Sequence, residues 1–258
     1  MSSPSSSPAG AFSVSTFNVH WGGRLPGGHD EYDLAAACGQ LDADVRVFQE
    51  VWGCPEEPSR LWVPAGFDVH ELPMVRCPRP ARFELPSPLA ERVGDFSIVL
   101  ATRFGLLERR VLELPVTPSD PRHHALACRL DTPLGPVWVV ALHLTIGRLP
   151  LGSARQLRAL ARLAPTDGPV VLIGDHNLWR PPARAILGRR WTPAVKGKTW
   201  QSHRPRHQID HIWVRGLGAA HGRVLPDLGS DHLAITATVT PAKNFPRTPQ
   251  VLRSGADQ

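Results

Sequence analysis

Side chains that can bind cations, move protons or hold negative charge stand beside short apolar runs at six places in this sequence. They are Asn18, Glu50, His143, Asp175 with Asn177, Asp210, and Asp231 with His232. Open α/β sheets form their binding crevices at the ends of strands, so this repeated placement predicts that the side chains meet in one site. A carboxylate there would suit a hard cation or an attacking water, and an imidazole would donate protons or stabilise negative charge.

The spacing of Asp175 and Asn177 carries a more detailed prediction. Residues two apart in an extended segment point to the same face, so both side chains would face the crevice while His176 points away and packs. The alternative is an Asx turn, in which the aspartate accepts a hydrogen bond from the backbone two residues on. We favour the extended arrangement, because a turn does not need a second amide at this spacing.

The elements that must hold these side chains alternate between strands and helices. Apolar runs predict strands at 12–18, 45–50, 96–101, 106–114, 125–130, 137–142, 170–173, 209–214 and 233–239. Helical spacing of apolar residues predicts helices at 33–41, at 153–163 with Ser153 as N-cap, and at 181–187. The proline-rich stretch 55–88 is expected to be loop, with at most a short strand at 67–72. Several consecutive strands have no helix between them, which predicts a mixed sheet.

Length and composition fit one globular domain. The chain has 258 residues, of which 42% are hydrophobic and 20% charged. We expect a domain over residues 11–240, with polar, proline-containing flexible tails at 1–10 and 241–258. No apolar run approaches the roughly 20 residues that span a bilayer, and the N-terminus lacks the features of a signal peptide. A cytoplasmic monomer without a membrane span is the expectation.

Net charge indicates which partners the protein could bind, and cysteine spacing indicates the state of its thiols. The formal charge of +6 and the pI near 9.8 favour polyanionic partners. The alternative is a solvated arginine-rich surface, because no block of five or six like charges occurs. The four cysteines show no CxxC spacing, which favours isolated buried thiols and leaves open a bridge between Cys54 and Cys77.

Taken together and in order, the polar motifs resemble the endonuclease/exonuclease/phosphatase superfamily. The motifs are Phe17-Asn18-Val19, Gln49-Glu50, His143-Leu144, Gly174-Asp175-His176-Asn177, Ile209-Asp210-His211 and Ser230-Asp231-His232. The resemblance implies the DNase I-like fold, a four-layered α/β sandwich of two mixed β-sheets packed face to face with helices outside. It also implies a phosphate-ester hydrolase that uses Mg²⁺ or Mn²⁺.

The resemblance assigns the first half of a catalytic set. Glu50 would be the carboxylate ligand of the metal, and Asn18 would support the metal or the phosphate. Asp175 would orient or deprotonate the attacking water, and Asn177 would donate a hydrogen bond to a phosphoryl oxygen. Read singly, each of these residues could instead be an ordinary strand-end or turn residue.

The second half is built around two histidines. Asp210 would hold His232 in one tautomer and favour its protonated form, so that it stabilises phosphoryl charge. Asp231 would lie on the metal side of the site or hold the surroundings of His232. His143 matches members of the superfamily in which a histidine contacts phosphate or protonates the leaving group.

Other residues bear on the substrate. Asn18 is followed by Val19-His20-Trp21-Gly22 and Glu50 by Val51-Trp52, which departs from AP endonucleases and disfavours an abasic-site nuclease. Arg204 and Arg206, with His207, precede Asp210 on a loop and are candidates for a second phosphate contact, or else solvated loop residues. Four tryptophans lie close to the motifs, where we favour packing at sheet ends over stacking on a base or sugar: Trp21, Trp52, Trp179 and Trp200.

The predicted function is therefore metal-dependent hydrolysis of a phosphate monoester or diester, with nucleic acid as one possible substrate. Hydrolysis of lipid or inositol phosphates by the same catalytic set is a second possibility, because the loops that would distinguish them carry no decisive signature. A catalytically silent scaffold that only binds phosphorylated ligands is a third. Such a scaffold would need basic residues around the site, but it would not need Glu50, Asp175 and His232 together.

Overall fold

Two six-stranded sheets account for most of the residues that the computed structural model describes, which are 10–22, 32–59, 61–78, 92–116, 120, 123–146 and 151–242. The strands are β1 (Phe12–Asn18), β2 (Val45–Gly53), β3 (Asp68–Pro78), β4 (Val93–Thr102), β5 (Leu106–Glu113), β6 (His124–Thr132), β7 (Gly135–His143), β8 (Val170–Asp175), β9 (Thr192–Pro193), β10 (Asp210–Arg215), β11 (Leu217–Val224) and β12 (Ile235–Pro241). The first sheet has the order β11-β12-β1-β2-β4-β3, and the second has the order β5-β6-β7-β8-β10-β9.

Both sheets are mixed, because each contains one parallel pair among antiparallel neighbours. In the first sheet β1 and β2 are parallel, and in the second β7 and β8 are parallel. The helix α1 (Leu34–Gly39) connects the first pair, and the helix α2 (Leu151–Leu163) connects the second. A third helix, α3 (Arg180–Leu187), follows β8 and has two prolines in its first turn, where their fixed φ is tolerated.

The core lies between the sheets, and each outer face is covered by helix. Alternate residues of a strand point to opposite faces, so β7 contributes side chains both to the core between the sheets and to the core under the helices. Its inward set packs between the sheets and its outward set packs under α2 and α3: Val137, Val139 and Ala141 against Trp138, Val140 and Leu142. Residues of α1 cover the outer face of the first sheet. The predicted four-layered sandwich of two mixed sheets is thus confirmed.

The two parallel pairs point their carboxyl ends toward the same edge of the sandwich. Asn18 stands opposite Gln49 at the end of the first pair, and His143 stands opposite Asp175 at the end of the second. The approach of β8 to β7 requires a glycine at position 174, where a Cβ atom would lie 2.1 Å from the carbonyl oxygen of Leu142. This edge is where the polar motifs gather.

Several local predictions were wrong. Much of the stretch expected to be loop forms the eleven-residue edge strand β3, which tolerates Pro73 because an edge strand bulges there and can lack a donor. Ser153 lies inside α2 rather than capping it. The strands β9 and β11 were not predicted at all. The four cysteines are free thiols, so the possible bridge between Cys54 and Cys77 is absent.

The ends of the chain fall largely outside the described ranges. The predicted tails at 1–10 and 241–258 are described only at Gly10, Pro241 and Ala242, so they stay predictions. Within the described ranges, no helix is both long enough and apolar enough to cross a membrane.

Candidate active site

The side-chain amide of Asn18 joins the two sheets at their shared edge. Its Nδ2 donates to Oε1 of Glu50 at 3.2 Å within the first sheet and to Oδ2 of Asp175 at 3.1 Å in the second. Asn18 and Asp175 are buried, whereas the side chain of Glu50 keeps about 20% of its surface exposed. Two carboxylate oxygens from different sheets are therefore held within reach of one amide nitrogen.

A β-bulge aims Glu50 at this edge. The pairing of β2 with β4 shifts register between Phe48 and Val51, and Glu50 has a φ of 57°. A bulge bends its strand and redirects a side chain, and a positive φ is costly for a residue other than glycine. The prediction that the strand stops at Glu50 was wrong, since β2 continues to Gly53 beyond the bulge.

His143 faces the same pair of carboxylates. Its Nε2 lies 3.7 Å from Oε1 of Glu50 and 3.5 Å from Oδ2 of Asp175. The side chain is buried, and it stands at the carboxyl end of β7, opposite Asp175 in the parallel pairing. An imidazole in this position can carry positive charge between two acids or pass a proton to a third group.

His232 and Asp210 form a buried hydrogen-bonded pair. The Nδ1 of His232 lies 2.9 Å from Oδ2 of Asp210, and its Nε2 lies 3.8 Å from Oδ2 of Asp175. Burial disfavours the charged imidazolium, but the carboxylates of Asp210 and Asp175 outweigh that effect and raise the pKa of His232. The ring is therefore held protonated at neutral pH, which is the form that stabilises negative charge.

Asp175 is the most heavily contacted acid of the cluster. Desolvation raises the pKa of its buried carboxyl, although the positive charge on His232 lowers it in part. Its Oδ1 accepts the backbone N–H of Asn177 at 2.8 Å, which leaves Oδ2 turned toward Asn18, His143 and His232. A carboxylate whose basicity is raised by burial is suited to accept a proton from water.

Asn177 does not continue the extended segment. Its φ of 44° is left-handed, and its backbone N–H bonds to the Asp175 side chain, so the Asx turn is present and the extended prediction was wrong. The side-chain Nδ2 donates to the carbonyl oxygen of Leu144 at 2.9 Å. Asn177 therefore borders the cluster through a turn, while His176 is fully buried and packs as expected.

Asp231 is held beside the cluster by contacts with His20, His232 and Trp200, of which the sequence predicted only its nearness to His232. Its Oδ1 lies 3.4 Å from Nδ1 of His20 and 4.0 Å from Nε2 of His232, and its Oδ2 accepts the indole N–H of Trp200 at 3.3 Å. His20 stands two residues after Asn18, so its nearness had a signal in the sequence. Trp200 lies 31 residues from Asp231, and only the fold reveals that contact.

Arg204 and Arg206 are not brought into the cluster. Both are exposed on the loop between Trp200 and His207, and no contact of either side chain with an acid or imidazole of the site is found in the described part of the chain. The backbone of this loop pairs Trp200 with His207 and also Trp200 with His232. The loop therefore borders the site, and its arginines lie on the rim.

Two sets of residues at this edge have donor atoms close enough together to be candidate metal sites. Asp175, Asp210 and His232 have donor atoms within 4.8 Å of one another. Both imidazole nitrogens of His232 face carboxylate oxygens, which describes an ion pair better than a cation site. Glu50 and Asp175 supply carboxylate oxygens close to one another, and this donor chemistry fits a hard cation. Asn18 turns its N–H toward both acids, while its Oδ1 accepts the backbone N–H of His20.

A sandwich of two mixed sheets with acids, amides and imidazoles at one edge is the architecture of a class of phosphoester hydrolases. The family model described as the endonuclease/exonuclease/phosphatase family matches residues 15–232, so the chain belongs to this family of phosphoester hydrolases. No curated protein sequence matches the chain.

Solved structures of the same fold come from bacteria and animals. An endonuclease/exonuclease/phosphatase from Beutenbergia cavernae is 23% identical, with a TM-score of 0.67 over 90% of this chain and 72% of that one. A mannosyl-6-phosphatase from Bacteroides thetaiotaomicron is 14% identical, with a TM-score of 0.62 over 89% and 99%. TDP2 of D. rerio, complexed with single strand DNA product, is 17% identical, with a TM-score of 0.60 over 89% and 99%. These similarities support the fold.

Proposed function

We propose that this protein hydrolyses phosphate esters with the help of Mg²⁺ or Mn²⁺. The observation that carries the proposal is the meeting of Glu50, Asp175 and His143 around the amide of Asn18, with the charged His232 alongside. An arrangement of acids next to fixed positive charge suits a reaction in which water attacks an anionic phosphorus centre.

Glu50 and Asn18 are the residues that would hold the cation. Glu50 is the partly exposed acid of the cluster, and the bulge turns its carboxylate toward the edge. A bound divalent ion neutralises charge on phosphoryl oxygens, which is the chemistry it would supply here. The nearby Asp231 would lie on the same side of the site through its contact with His20.

Asp175 would orient the attacking water and accept its proton. Its carboxylate is fixed by Asn18 on one oxygen and by the backbone of Asn177 on the other, so it does not have to reorganise during the reaction. Burial raises its pKa and therefore its affinity for a proton. His143, 3.5 Å away, would protonate the leaving group or contact a phosphoryl oxygen.

His232 would stabilise the negative charge that develops on phosphorus-bound oxygens. Asp210 fixes the orientation of the ring through Nδ1, and Nε2 faces the interior of the site. Asn177 would donate a hydrogen bond to the same oxygens with its second amide hydrogen. Arg204 and Arg206 on the rim would contact a second phosphate.

Replacing Glu50 tests both the activity and the metal site. Wild type should hydrolyse a generic aryl phosphodiester only when Mg²⁺ or Mn²⁺ is present, and a chelator should abolish turnover. Glu50→Gln should need more metal for half-saturation and turn over more slowly, because a neutral amide is a poorer ligand for a hard cation. The measurement is the rate as a function of metal concentration for both proteins.

Glu56→Gln is the matched control, because Glu56 is exposed on the loop that follows β2. It should leave the metal titration unchanged. An unchanged half-saturation and rate in Glu50→Gln would remove this residue from the metal site. No turnover by wild type with several metals would favour the silent phosphate-binding scaffold.

A comparison of natural substrates then separates the remaining possibilities. One similar structure is of a mannosyl-6-phosphatase and another is complexed with a DNA product, so the fold accommodates both monoesters and nucleic acid. The net charge of +6 favours polyanionic substrates, such as nucleic acids and phosphoinositides, over the zwitterionic sphingomyelin. Single-stranded DNA, duplex DNA, RNA, phosphoinositides and sphingomyelin should be compared at one enzyme concentration.

A further inference from the structure

Three of the four tryptophans close to the motifs are committed to packing or hydrogen bonding. Trp52 is buried. Trp21 packs edge-on against Phe96, with ring centroids 6.1 Å apart. The indole N–H of Trp200 is donated to Asp231. Trp52 and Trp21 therefore pack as expected, and Trp200 is tied to Asp231 by its hydrogen bond.

Trp179 differs from them, because 52% of its surface is exposed. One face of its indole stacks on the imidazole of His207, with centroids 4.8 Å apart and ring planes only 15° from parallel. His207 covers one face of the indole, and about half of the Trp179 surface stays open to solvent. The two rings form a flat aromatic surface that one further ring can extend.

The position of Trp179 at the start of α3 is not explained by helix stability. It occupies the N-cap, where Ser, Thr, Asp or Asn would accept a hydrogen bond from the first turn. Trp has no acceptor, and no side-chain cap is made here. The N-cap of α3 is therefore occupied by an exposed aromatic ring that makes no capping hydrogen bond.

The stacked pair lies beside the catalytic cluster. His207 pairs with Trp200, and Trp200 pairs on its other side with His232. Neighbouring strands are about 4.8 Å apart, which places the backbones of His207 and His232 roughly 10 Å apart. Trp179 is reached from Asn177, at the border of the cluster, in two residues.

Three arginines lie on the two chain segments that carry the stacked rings. Arg204 and Arg206 are exposed on the loop that carries His207, and Arg180 follows Trp179 in the chain. A planar ring flanked by phosphates is the ligand that combines with such a surface, because the ring stacks while the phosphates meet the arginines. Lipid phosphates lack the ring.

We propose that the stack of Trp179 and His207 binds a nucleobase next to the phosphate that is hydrolysed. The inference rests on the proposed function and deepens it, since it assigns the substrate to single-stranded nucleic acid. Bases in a duplex are stacked on one another and hide the faces that the tryptophan would contact. Unpaired bases expose both faces.

Binding of a short thymidine oligonucleotide tests the proposal without requiring turnover. Its dissociation constant is measured by fluorescence anisotropy in the presence of a chelator, beside an oligonucleotide of equal length in which the bases are replaced by abasic units. Wild type should bind the thymidine form more tightly. Trp179→Leu should weaken that binding roughly tenfold and leave binding of the abasic form unchanged. Trp179→Phe should restore most of the loss, because Phe retains a ring.

Trp62→Leu is the matched control, since Trp62 is 44% exposed but lies on the opposite layer near α1. Unfolding midpoints of all variants are measured beside the binding. Equal weakening for both oligonucleotides would overturn the proposal and make Trp179 a structural residue. Equal affinity of wild type for the two forms would also overturn it. Base-dependent binding without hydrolysis would support the platform and contradict only the proposed catalytic function.

Discussion

His232 depends on Asp210 for both its orientation and its charge. The two side chains share a 2.9 Å hydrogen bond in a buried setting, where an isolated imidazolium would be strongly disfavoured. Removing the carboxylate would therefore change the protonation and the orientation of the ring at once. Removing the ring would leave the carboxylate without the group it acts through.

This dependence predicts that substitutions of the pair are not additive. His232→Ala and Asp210→Asn should each lower turnover by roughly 100-fold or more, and the double variant should be little worse than either single variant. The measurement is kcat/KM for the three variants and wild type, with unfolding midpoints recorded in parallel. Losses that multiply in the double variant would show that the two residues act independently.

Local backbone geometry decides where the polar side chains point. Glu50 and Asn177 both have left-handed φ values, one in a bulge and the other in a turn. The residue types at these positions were visible in the sequence, but the backbone that aims them was not. The sequence therefore predicts which residues meet, whereas their orientation depends on strand pairing with distant residues.

Element prediction succeeded where burial imposes a pattern and failed where it does not. The run at 137–142 is buried throughout and belongs to β7, as expected. By contrast, β11 contains two glycines and two alanines and is largely half-exposed, so it lacks the alternation that marks a strand. The edge strand β3 is likewise mostly exposed and interrupted by proline. Both form because the next strand in the chain, β4 or β12, supplies their hydrogen-bonding partners, which the exposure pattern of the strand itself does not reveal.

The pairing of β8 with β10 buries two histidines against each other. His176 follows β8 and His211 lies on β10, with ring centroids 4.8 Å apart. Burial lowers the pKa of His211 to about 4 and the pKa of His176 well below its usual value. Both rings are therefore neutral in the folded protein, whereas in the unfolded chain they bind protons with a pKa near 6.5.

This pair predicts a loss of stability in acid. Because the folded pKa values are lowered, their contribution is complete above about pH 6.5 and declines as the pH falls from there toward about 4. His176→Phe should reduce the drop in the free energy of unfolding between about pH 7.5 and pH 5, by up to about 2 kcal/mol, the limit that an unfolded pKa near 6.5 sets over this interval. Urea unfolding at both pH values measures it. An equal drop in wild type and variant would exclude His176 as a source.

The whole molecule carries a diffuse positive charge. Its 29 basic and 23 acidic residues give a net charge of +6. The cations that border the site are Arg204 and Arg206 on the loop between Trp200 and His207 and Arg180 at the start of α3, so only a few organised contacts to a phosphate backbone are available. Coulombic attraction therefore brings polyanions near the protein, while the bound position has to be set by the site itself.

Duplex DNA should accordingly bind weakly and with a steep dependence on salt. Each phosphate contact releases counterions, so affinity should fall by an order of magnitude or more between about 50 and 200 mM salt. Fluorescence anisotropy with a labelled duplex measures this slope. Tight duplex binding that persists in high salt would contradict the prediction and would require a base-reading surface that the rim does not offer.

The amide of Asn18 accounts for one more property of the molecule. Its contact with Asp175 joins residues 157 positions apart, and the hydroxyl of Ser230 closes on the carbonyl of Asn18 across 212 positions. A segment of the chain that lacks Asn18, Asp175 or Ser230 cannot make both of these contacts. A chain that is still being synthesised is therefore catalytically inert until its last strands have left the ribosome and docked, and the appearance of hydrolysis marks the moment at which the first and last strands have met.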